Sequence, residues 1–308
     1  TYFERNEANP LEEDLIIVDE ASMLDISLFY HLLCALKDGA RLILVGDIDQ
    51  LPPVGAGEPL KDLMSWGYVP IVRLKRIFRQ EEGSGIVENA ALIRKGEMCV
   101  PDEAGEFRIV YAADDEDAYR IVMDLCRELN YGNEENKMLL QVLSPMYRGV
   151  CGVDHLNESL QEMIHGEKVP DGMKFFPGDK VMQTRNDYEK GIYNGDVGTV
   201  WTATPQKVFV RYFDKEVVYE GEERFDLRLA YAVTVHKSQG SEYETVIFIL
   251  RPSQHNMLQR NLLYTGVTRA RKNTILVTAP DALRRALAIQ HTGNRYSLFL
   301  PFLNHEAL

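Results

Sequence analysis

The sequence predicts an α/β protein with parallel sheets into which a small all-β barrel is inserted. Two short apolar runs, Leu15-Ile-Ile-Val18 and Leu42-Ile-Leu-Val45, flank a segment of helical periodicity. Strand, helix, strand in that order is a βαβ unit with a right-handed crossover. Between Phe176 and Tyr219 the pattern changes to four short β-prone runs separated by Gly, Pro, Asn and Asp turns, as a small barrel requires. Beyond it, Thr245-Val-Ile-Phe-Ile-Leu250, a helical apolar series and the run Thr274 to Thr278 restore the first pattern.

A length of 308 residues suggests about two domains, and 45% hydrophobic content is enough for sizeable cores. The net charge of -13 argues against a wholly basic nucleic-acid coat, although it does not decide what one cleft binds. Acid is dense near the start (Glu4, Glu7, Glu12, Glu13, Asp14), whereas Arg251, Arg260, Arg269, Arg271, Lys272, Arg284 and Arg285 promise one local basic face. Cys34, Cys99, Cys126 and Cys151 are widely spaced, without a C-x-x-C pair or an H-E-x-x-H. A reducing, cytoplasmic setting without structural zinc is the expectation. No apolar run approaches the roughly 20 residues that span a bilayer, so no membrane partner is expected. The chain starts at Thr1, in a polar segment that leads straight into a core strand, and reads as a piece of something longer.

The first strand, read as buried on both faces, runs into Asp19-Glu20-Ala-Ser22. Ligands of parallel sheets sit at the carboxyl ends of their strands, so Asp19 and Glu20 are delivered to a ligand edge. Nucleotide hydrolysis is the chemistry that needs two acids there: Asp19 holds Mg²⁺, usually through water, while Glu20 orients and deprotonates the attacking water. The same letters also fit a loose capping box, Ser22-x-x-Asp25, that merely starts the next helix. That helix is expected over Met23 to Lys37, from Leu24, Leu28, Leu32 and Leu36, with Gly39 as its stop. The second strand opens into Gly46-Asp-Ile-Asp-Gln-Leu-Pro-Pro-Val-Gly55, in which the prolines stiffen the loop and Gln50 can sense a phosphate or a water. A polar turn with proline punctuation reads the same residues more plainly. Ile71 to Leu74 fits a further strand.

Residues 83 to 171 read as mostly helix with some strand, including Met138 to Leu143. Glu116 to Leu129 is amphipathic, with Ile121, Val122, Leu125 and Leu129 inward, and Asp114 to Asp117 start that helix. His155 and His165 show no ligand pattern and read as satisfied polar residues. In the barrel, Arg185, Lys190, Tyr193, Trp201 and Arg211 can supply charge and stacking faces for nucleic acid, while Trp201 and Tyr212 equally fit its core. Next, an apolar run presents Thr234, His236, Lys237, Ser238 and Gln239 from a turn ending at Gly240, groups that bind phosphates and bases. Finally, a helix over Met257 to Lys272 carries Leu258, Leu262, Leu263 and Val267, and Arg269 offers a planar fixed charge suited to a developing phosphate charge.

Asp-Glu-Ala-Ser and Gly-Asp-x-x-Gln-Leu-Pro-Pro-Val-Gly resemble motifs II and III of superfamily 1 DNA helicases, in the RecD-like branch. Leu74-Lys-Arg-Ile-Phe-Arg-Gln80 resembles motif IV, Ser144-Pro-Met-Tyr-Arg-Gly149 the segment after it, His236-Lys-Ser-Gln-Gly240 motif V, and Leu263-Tyr-Thr-Gly-Val-Thr-Arg-Ala-Arg271 motif VI. The resemblance covers about Leu15 to Thr278. It implies RecA-like P-loop NTPase motor domains, the first one incomplete, with an SH3-like barrel inserted in the second. The corresponding boundaries are 1–75 for the first motor domain, 76–171 with 226–308 for the second, and 172–225 for the barrel. It further implies ATP and Mg²⁺ handled by Asp19, Glu20, Gln50, Arg79, Gly240, Glu242 and Arg269. Single-stranded DNA, or DNA with a 5′ single-stranded tail, would be held by Pro52, Arg148, Thr234, His236, Lys237, Ser238 and Gln239. The implied activity is 5′-to-3′ translocation in recombination or repair, with other nuclease-helicase subunits as partners.

One departure matters. The pattern G-x-x-x-x-G-K-[ST] has no match in these residues, and the nearest stretch, Gly57-Glu-Pro-Leu-Lys61, lacks its spacing and hydroxyl. The chain by itself is therefore expected not to hydrolyse ATP. Two other classes stay open: a degenerate, non-catalytic DNA-binding module, and a scaffold subunit that uses a motor fold for protein contacts.

Overall fold

The computed structural model describes residues 3–74, 83–170, 172–290 and 299–304, and the chain forms two units, Thr1–Ile77 with Gln290–Leu308, and Phe78–Ile289. In the first unit β1 (Leu15–Val18) and β2 (Arg41–Leu44) pair in parallel, Leu15 opposite Arg41 and Val18 opposite Leu44. The crossover is a single 3-10 turn, Ala21–Met23, followed by α1 (Ile26–Cys34), which is shorter than its leucine series suggested. Asp25 makes the break: its carboxylate accepts from the Leu28 amide at 2.8 Å and caps α1. Helix α2 (Pro59–Trp66) starts at a proline and ends at Gly67 in the left-handed region.

The expectation of strands buried on both faces fails here. Ile16 and Val18 are half-buried, but Ile17 keeps 61% of its surface and Leu15 and Ile43 are also exposed, so one face of this pair is uncovered. The period-2 side-chain alternation of a strand puts these residues on that face. Ile71 to Leu74 forms no strand, and Val72 and Leu74 are almost fully exposed.

The second unit holds α3 (Gly85–Lys95), β3 (Phe107–Tyr111), α4 (Asp115–Glu128), α5 (Glu134–Leu139), β4 (Leu140–Ser144) and α6 (Val153–His165). The barrel strands β5 (Lys180–Gln183), β6 (Val197–Ala203), β7 (Lys207–Arg211), β8 (Glu216–Glu220) and β9 (Leu227–Leu229) follow. Then come β10 (Ala232–Thr234), β11 (Tyr243–Leu250), α7 (Arg260–Val267), β12 (Ala270–Thr278) and α8 (Pro280–Ala288). The parallel sheet has the order β10-β4-β11-β12-β3, and the antiparallel one β8-β7-β6-β5-β9. Helix α4 turns Val122, Leu125 and Cys126 onto Val142, Ile247 and Val277 of the parallel sheet, as its periodicity requires. Its acids do start it: Asp114 accepts from the Asp117 amide and Asp117 from the Ala113 amide, both at 2.8 Å. The last helix, α9 (Phe299–Leu303), belongs to the first unit, where Phe299 packs edge-on against Phe29 and α9 lies on α2. Assigning 226–308 as one block to the second motor domain therefore overreaches at its end.

The barrel has its own core, with Phe175, Val181, Val200, Val210 and Tyr219 inward. Tyr212 is buried with its hydroxyl 2.6 Å from that of Tyr219, but Trp201 stands out 56% exposed because the β6 register slips between Val200 and Thr202. The two residues that looked alike in sequence thus part company.

Between barrel and parallel sheet lies a buried polar hub built on the first residues of the barrel. The Asp179 carboxylate, fully buried, accepts from the Phe176 amide at 2.7 Å, from Gln161, from the Tyr231 hydroxyl at 2.9 Å, and lies 2.8 Å from His165 Nε2. His155 Nδ1 likewise lies 2.8 Å from the Val150 carbonyl, so both histidines are satisfied polar groups. Lys180 Nζ donates to the Leu140 carbonyl at 3.1 Å and to Gln141 Oε1 at 2.9 Å, between the rings of Tyr131 and Tyr243. The four cysteines are free, no helix is long and apolar enough to cross a membrane, and no metal-ligand cluster occurs among the described residues.

Burial, with the nearby Lys137 charge, brings the Lys180 ammonium down to about 7 from 10.5. Between those values the unfolded chain binds the proton and the folded chain does not, so stability should fall as pH drops from 10.5 to 7 and level off below. The slope should reach at most about 1.4 kcal/mol per pH unit. Denaturant titrations at several pH values should show it in the wild type and find it flattened in Lys180→Met.

Candidate functional site

The carboxyl edge of β1 and β2 gathers two of the expected motifs. The Val45 amide donates to the Val18 carbonyl and the Ala21 amide to the Val45 carbonyl, both at 2.8 Å, so the chain turns tightly at Asp19-Glu20. Asp19 is exposed and accepts from the Glu20 amide at 2.8 Å. Glu20 sits at φ 49°, ψ 36°, in the left-handed region that a glutamate pays roughly 1–2 kcal/mol to enter. Strain of this kind persists where the surroundings fix it, and the surroundings here are the motif III loop.

That loop is held from both ends. A Cβ on Gly46 would lie 2.8 Å from the Ser22 amide nitrogen, and one on Gly55 would lie 2.0 Å from the Asp25 carboxylate. The Ile26 amide donates to the Ala56 carbonyl at 2.8 Å. Inside the loop Asp47 accepts from the Asp49 amide at 3.0 Å, and Leu51 and Pro53 are buried. Gln50 and Pro52 thereby share a small pocket with Ser22, Glu58 and Lys61. Ser22 is buried there with no partner for its hydroxyl, and Asp25 alone caps α1, so the capping-box reading of Ser22 does not hold.

The second unit sorts its candidates to the two ends of its sheet. At the amino ends of β11 and β12, Gly240 (φ 76°), Glu242 and Arg269 lie together, since the Tyr243 amide donates to the Arg269 carbonyl at 2.9 Å. The Arg269 guanidinium, 2% exposed, donates to the Ser241 carbonyl at 3.2 Å and to the Thr265 carbonyl at 3.3 Å. Glu242 holds Arg271 at 2.7 Å, and Lys272 pairs with Glu244 at 2.9 Å. Helix α7 stops at Val267, so Arg271 and Lys272 lie on β12 rather than on a helix.

At the carboxyl ends, β10 and β4 place Thr234 beside Ser144, next to the loop that carries exposed Tyr147 and Arg148. His236, Lys237 and Gln239 are partly exposed, but Thr234 and Ser238 are buried. Thr234 Oγ1 accepts from the Lys237 amide at 3.2 Å and Ser238 Oγ donates to the Val235 carbonyl at 2.8 Å, so these hydroxyls close the turn. Arg79 lies outside the described residues.

The arginine-rich end does not form the basic face its composition promised. Arg251 is buried against Asp115 at 3.1 Å, Arg260 donates to the Leu287 carbonyl, and Arg269, Arg271 and Lys272 are held as above, leaving Arg284 and Arg285 projecting from α8. Two of the barrel's suggested cations are also engaged, Lys190 with Glu223 at 2.6 Å and Arg211 with Glu216 at 2.8 Å while covering Trp201, whereas Arg185 stands 3.6 Å from Asp226 and, like Tyr193, is exposed.

Three family models match in succession: an AAA domain over residues 4–108, the SH3 domain of ATP-dependent RecD-like DNA helicases over 156–212, and a UvrD-like helicase C-terminal domain over 229–277. The ATP-dependent RecD2 DNA helicase of Deinococcus radiodurans is 37% identical over 300 residues, 96% of this chain. The chain belongs to the RecD-like superfamily 1 DNA helicases. The RecBCD enzyme subunit RecD of Mycolicibacterium smegmatis is 33% identical over 316 residues, again 96% of this chain. This RecD-like chain spans 41% of the first relative and 56% of the second. Pif1 helicase from Bacteroides shares the fold with a TM-score of 0.56 at 20% identity, over 96% of this chain and 75% of that one. Candida albicans Pif1 gives 0.54 at 18%, over 90% and 74%. The architecture is thus RecA-like α/β with an SH3-like antiparallel insertion.

Sequence reasoning missed what Arg251 does, because its partner Asp115 lies 136 residues away and leaves no local pattern. The tight turn at Asp19-Glu20 gives a direct test of the site's construction. Gly46→Ala must push backbone against backbone, so it should destabilise the protein by about 1–3 kcal/mol in denaturant unfolding.

Proposed function

We propose that this RecD-like chain is the larger part of the motor of an ATP-dependent DNA helicase that moves 5′ to 3′ along single-stranded DNA in recombination or repair. The observation that carries the reading is the Asp19-Glu20 pair, held at a sheet edge with Glu20 in a strained backbone beside the Gln50 loop. The proposed division is residues 1–75 with α9 for the first motor domain, 76–171 with 226–289 for the second, and 172–225 for the barrel. The match to an ATP-dependent RecD2 helicase supports it.

Asp19 is exposed and presents hard carboxylate oxygens, so its chemistry suits Mg²⁺. That ion, when bound, offsets the charge of the β- and γ-phosphates. Glu20 takes the proton of the attacking water, and Gln50 orients that water through its amide. Within the second unit, Gly240, Glu242 and Arg269 are the candidates for nucleotide handling, Arg269 and Arg79 through their fixed positive charge. Arg269 must first leave the Ser241 and Thr265 carbonyls, so nucleotide binding and rearrangement of the 240–242 turn are one event. Pro52, Arg148, His236, Lys237 and Gln239 contact single-stranded DNA, or the 5′ tail of a duplex, while Thr234 and Ser238 shape the turn that presents them. The RecD subunits among the relatives support other nuclease-helicase subunits as partners.

Without a phosphate-cradling G-x-x-x-x-G-K-[ST] in its 308 residues, the chain alone should show no DNA-stimulated ATP turnover. Stimulated phosphate release from the purified chain would overturn that. In the complete protein, Glu20→Gln should lower kcat by roughly 10²–10⁴-fold while ATP binding persists. Unchanged turnover would remove Glu20 from its role.

A further inference from the structure

The outward face of the barrel sorts its charges by strand. β7 and β8 pair Lys207 opposite Glu220, Phe209 opposite Val218, and Arg211 opposite Glu216. Alternation turns Val208, Val210, Val217 and Tyr219 into the barrel core and those six residues outward. Both cations are thus on β7 and both anions on β8, with an apolar row between them. Lys207 meets Glu220 at 2.7 Å and Arg211 meets Glu216 at 2.8 Å, so the four charges cancel and draw in no polyanion.

Apolar surface stays open on this face. Phe209 and Val218 are half-buried, and on β6 the register slip turns Trp201 out beside them, with the Arg211 guanidinium 5.7 Å from its ring centre. Phe213 continues the outward row of β7 into the turn before β8 and keeps all of its surface. An apolar patch rimmed by polar residues marks an interaction surface. β8 is the outermost strand, but residues 187–192 lie beside it: Lys190 Nζ donates to the Val218 carbonyl at 3.1 Å and Lys215 Nζ to the Lys190 carbonyl at 3.2 Å. A partner therefore meets the face rather than adding a strand at the edge.

The charge pattern selects that partner. A two-fold axis parallel to the strands, above the line between β7 and β8, carries β7 of one copy over β8 of another. Lys207 then meets the partner's Glu220, Arg211 the partner's Glu216, and Phe209 the partner's Val218, which is the self-complementarity an isologous contact needs. An axis across the strands would set β7 on β7 and cation against cation. Sorting by strand thus permits one of the two dockings.

We propose that this barrel face joins two copies of the chain, β7 of each lying over β8 of the other, with Phe209 and Phe213 covered between them and Trp201 against the loop beside the partner's β8. The face is about 20 Å long and about 14 Å wide at strand spacings, less than the roughly 800 Å² per partner of a standard interface. The dimer is accordingly weak, its affinity carried by the aromatic residues and its orientation by the charges. The inference does not depend on the helicase reading, and either can fail without the other.

The test is sedimentation velocity of the 308-residue chain up to about 1 mM, where a weak specific contact still shows. Wild type should pass from monomer to dimer. Lys207→Glu with Arg211→Glu, and separately Glu216→Lys with Glu220→Lys, should each stay monomeric, while an equimolar mixture of the two should dimerise more tightly than wild type. Phe213→Ser, at a fully exposed position that folding does not need, should raise the dissociation constant at least about 5-fold. Arg284→Glu, on α8, should match wild type. A wild type that stays monomeric throughout overturns the inference. So does a dimer that survives both charge variants, because it then uses another surface, such as the uncovered face of β1 and β2.

Discussion

The second unit depends on a buried Asp-Lys dipeptide that the barrel drives into the parallel-sheet domain. Asp179 just precedes β5 and Lys180 opens it; both are buried, and apart from the Phe176 amide on Asp179 each is satisfied by groups outside the barrel rather than by the other. Removing one partner from such a site typically costs 3–5 kcal/mol, because a charge or its acceptors are left unsatisfied in low dielectric. The arrangement fixes position more than it adds stability. Gln161 and His165 from α6, Tyr231 before β10, and Gln141 on β4 can all meet it in one docking of the barrel only. Every contact between the barrel and the parallel sheet inherits its geometry from that docking.

Within this frame the candidate residues fall at opposite ends of one sheet. The 235–242 segment leaves the carboxyl end of β10 and returns to the amino end of β11, so a single stretch carries Lys237 at one end and the Ser241 carbonyl that holds Arg269 at the other. The buried hydroxyls of Thr234 and Ser238 stiffen its start. A change at Arg269 therefore reaches Lys237 through the five residues from Ser241 back to Lys237, with no need for a longer path. In the first unit, the Asp25 cap and Gly55 tie the acidic turn to the Gln50 loop by direct packing.

Much of this was legible in the residues because the relevant signals are local. The two βα units, the barrel and the motif turns all follow from short runs with fixed periods and from Gly and Pro punctuation. What escaped was whatever depends on partners far along the chain. The β1 run is as apolar as a fully covered strand, yet the structure leaves Ile17 open, because coverage is a property of neighbours. The basic count near the end predicted a face, but Arg251, Arg260 and Arg269 are spent on internal acceptors. Trp201 and Tyr212 differ only through a register slip that no composition encodes.

The antiparallel pairing of β5 with β9, Val181 opposite Leu229, brings the barrel's entrance and exit side by side, and the Ala230 amide donates to the Lys180 carbonyl just at the junction. A pull that drew the barrel away from the motor would enter both strands from the same side and peel their hydrogen bonds apart one after another, like a zipper, rather than shearing them together. The ladder is weak in that direction. Any such load must then be borne by the anchored side chains at the root of β5, which makes two buried residues the mechanical link between the barrel and the parallel sheet.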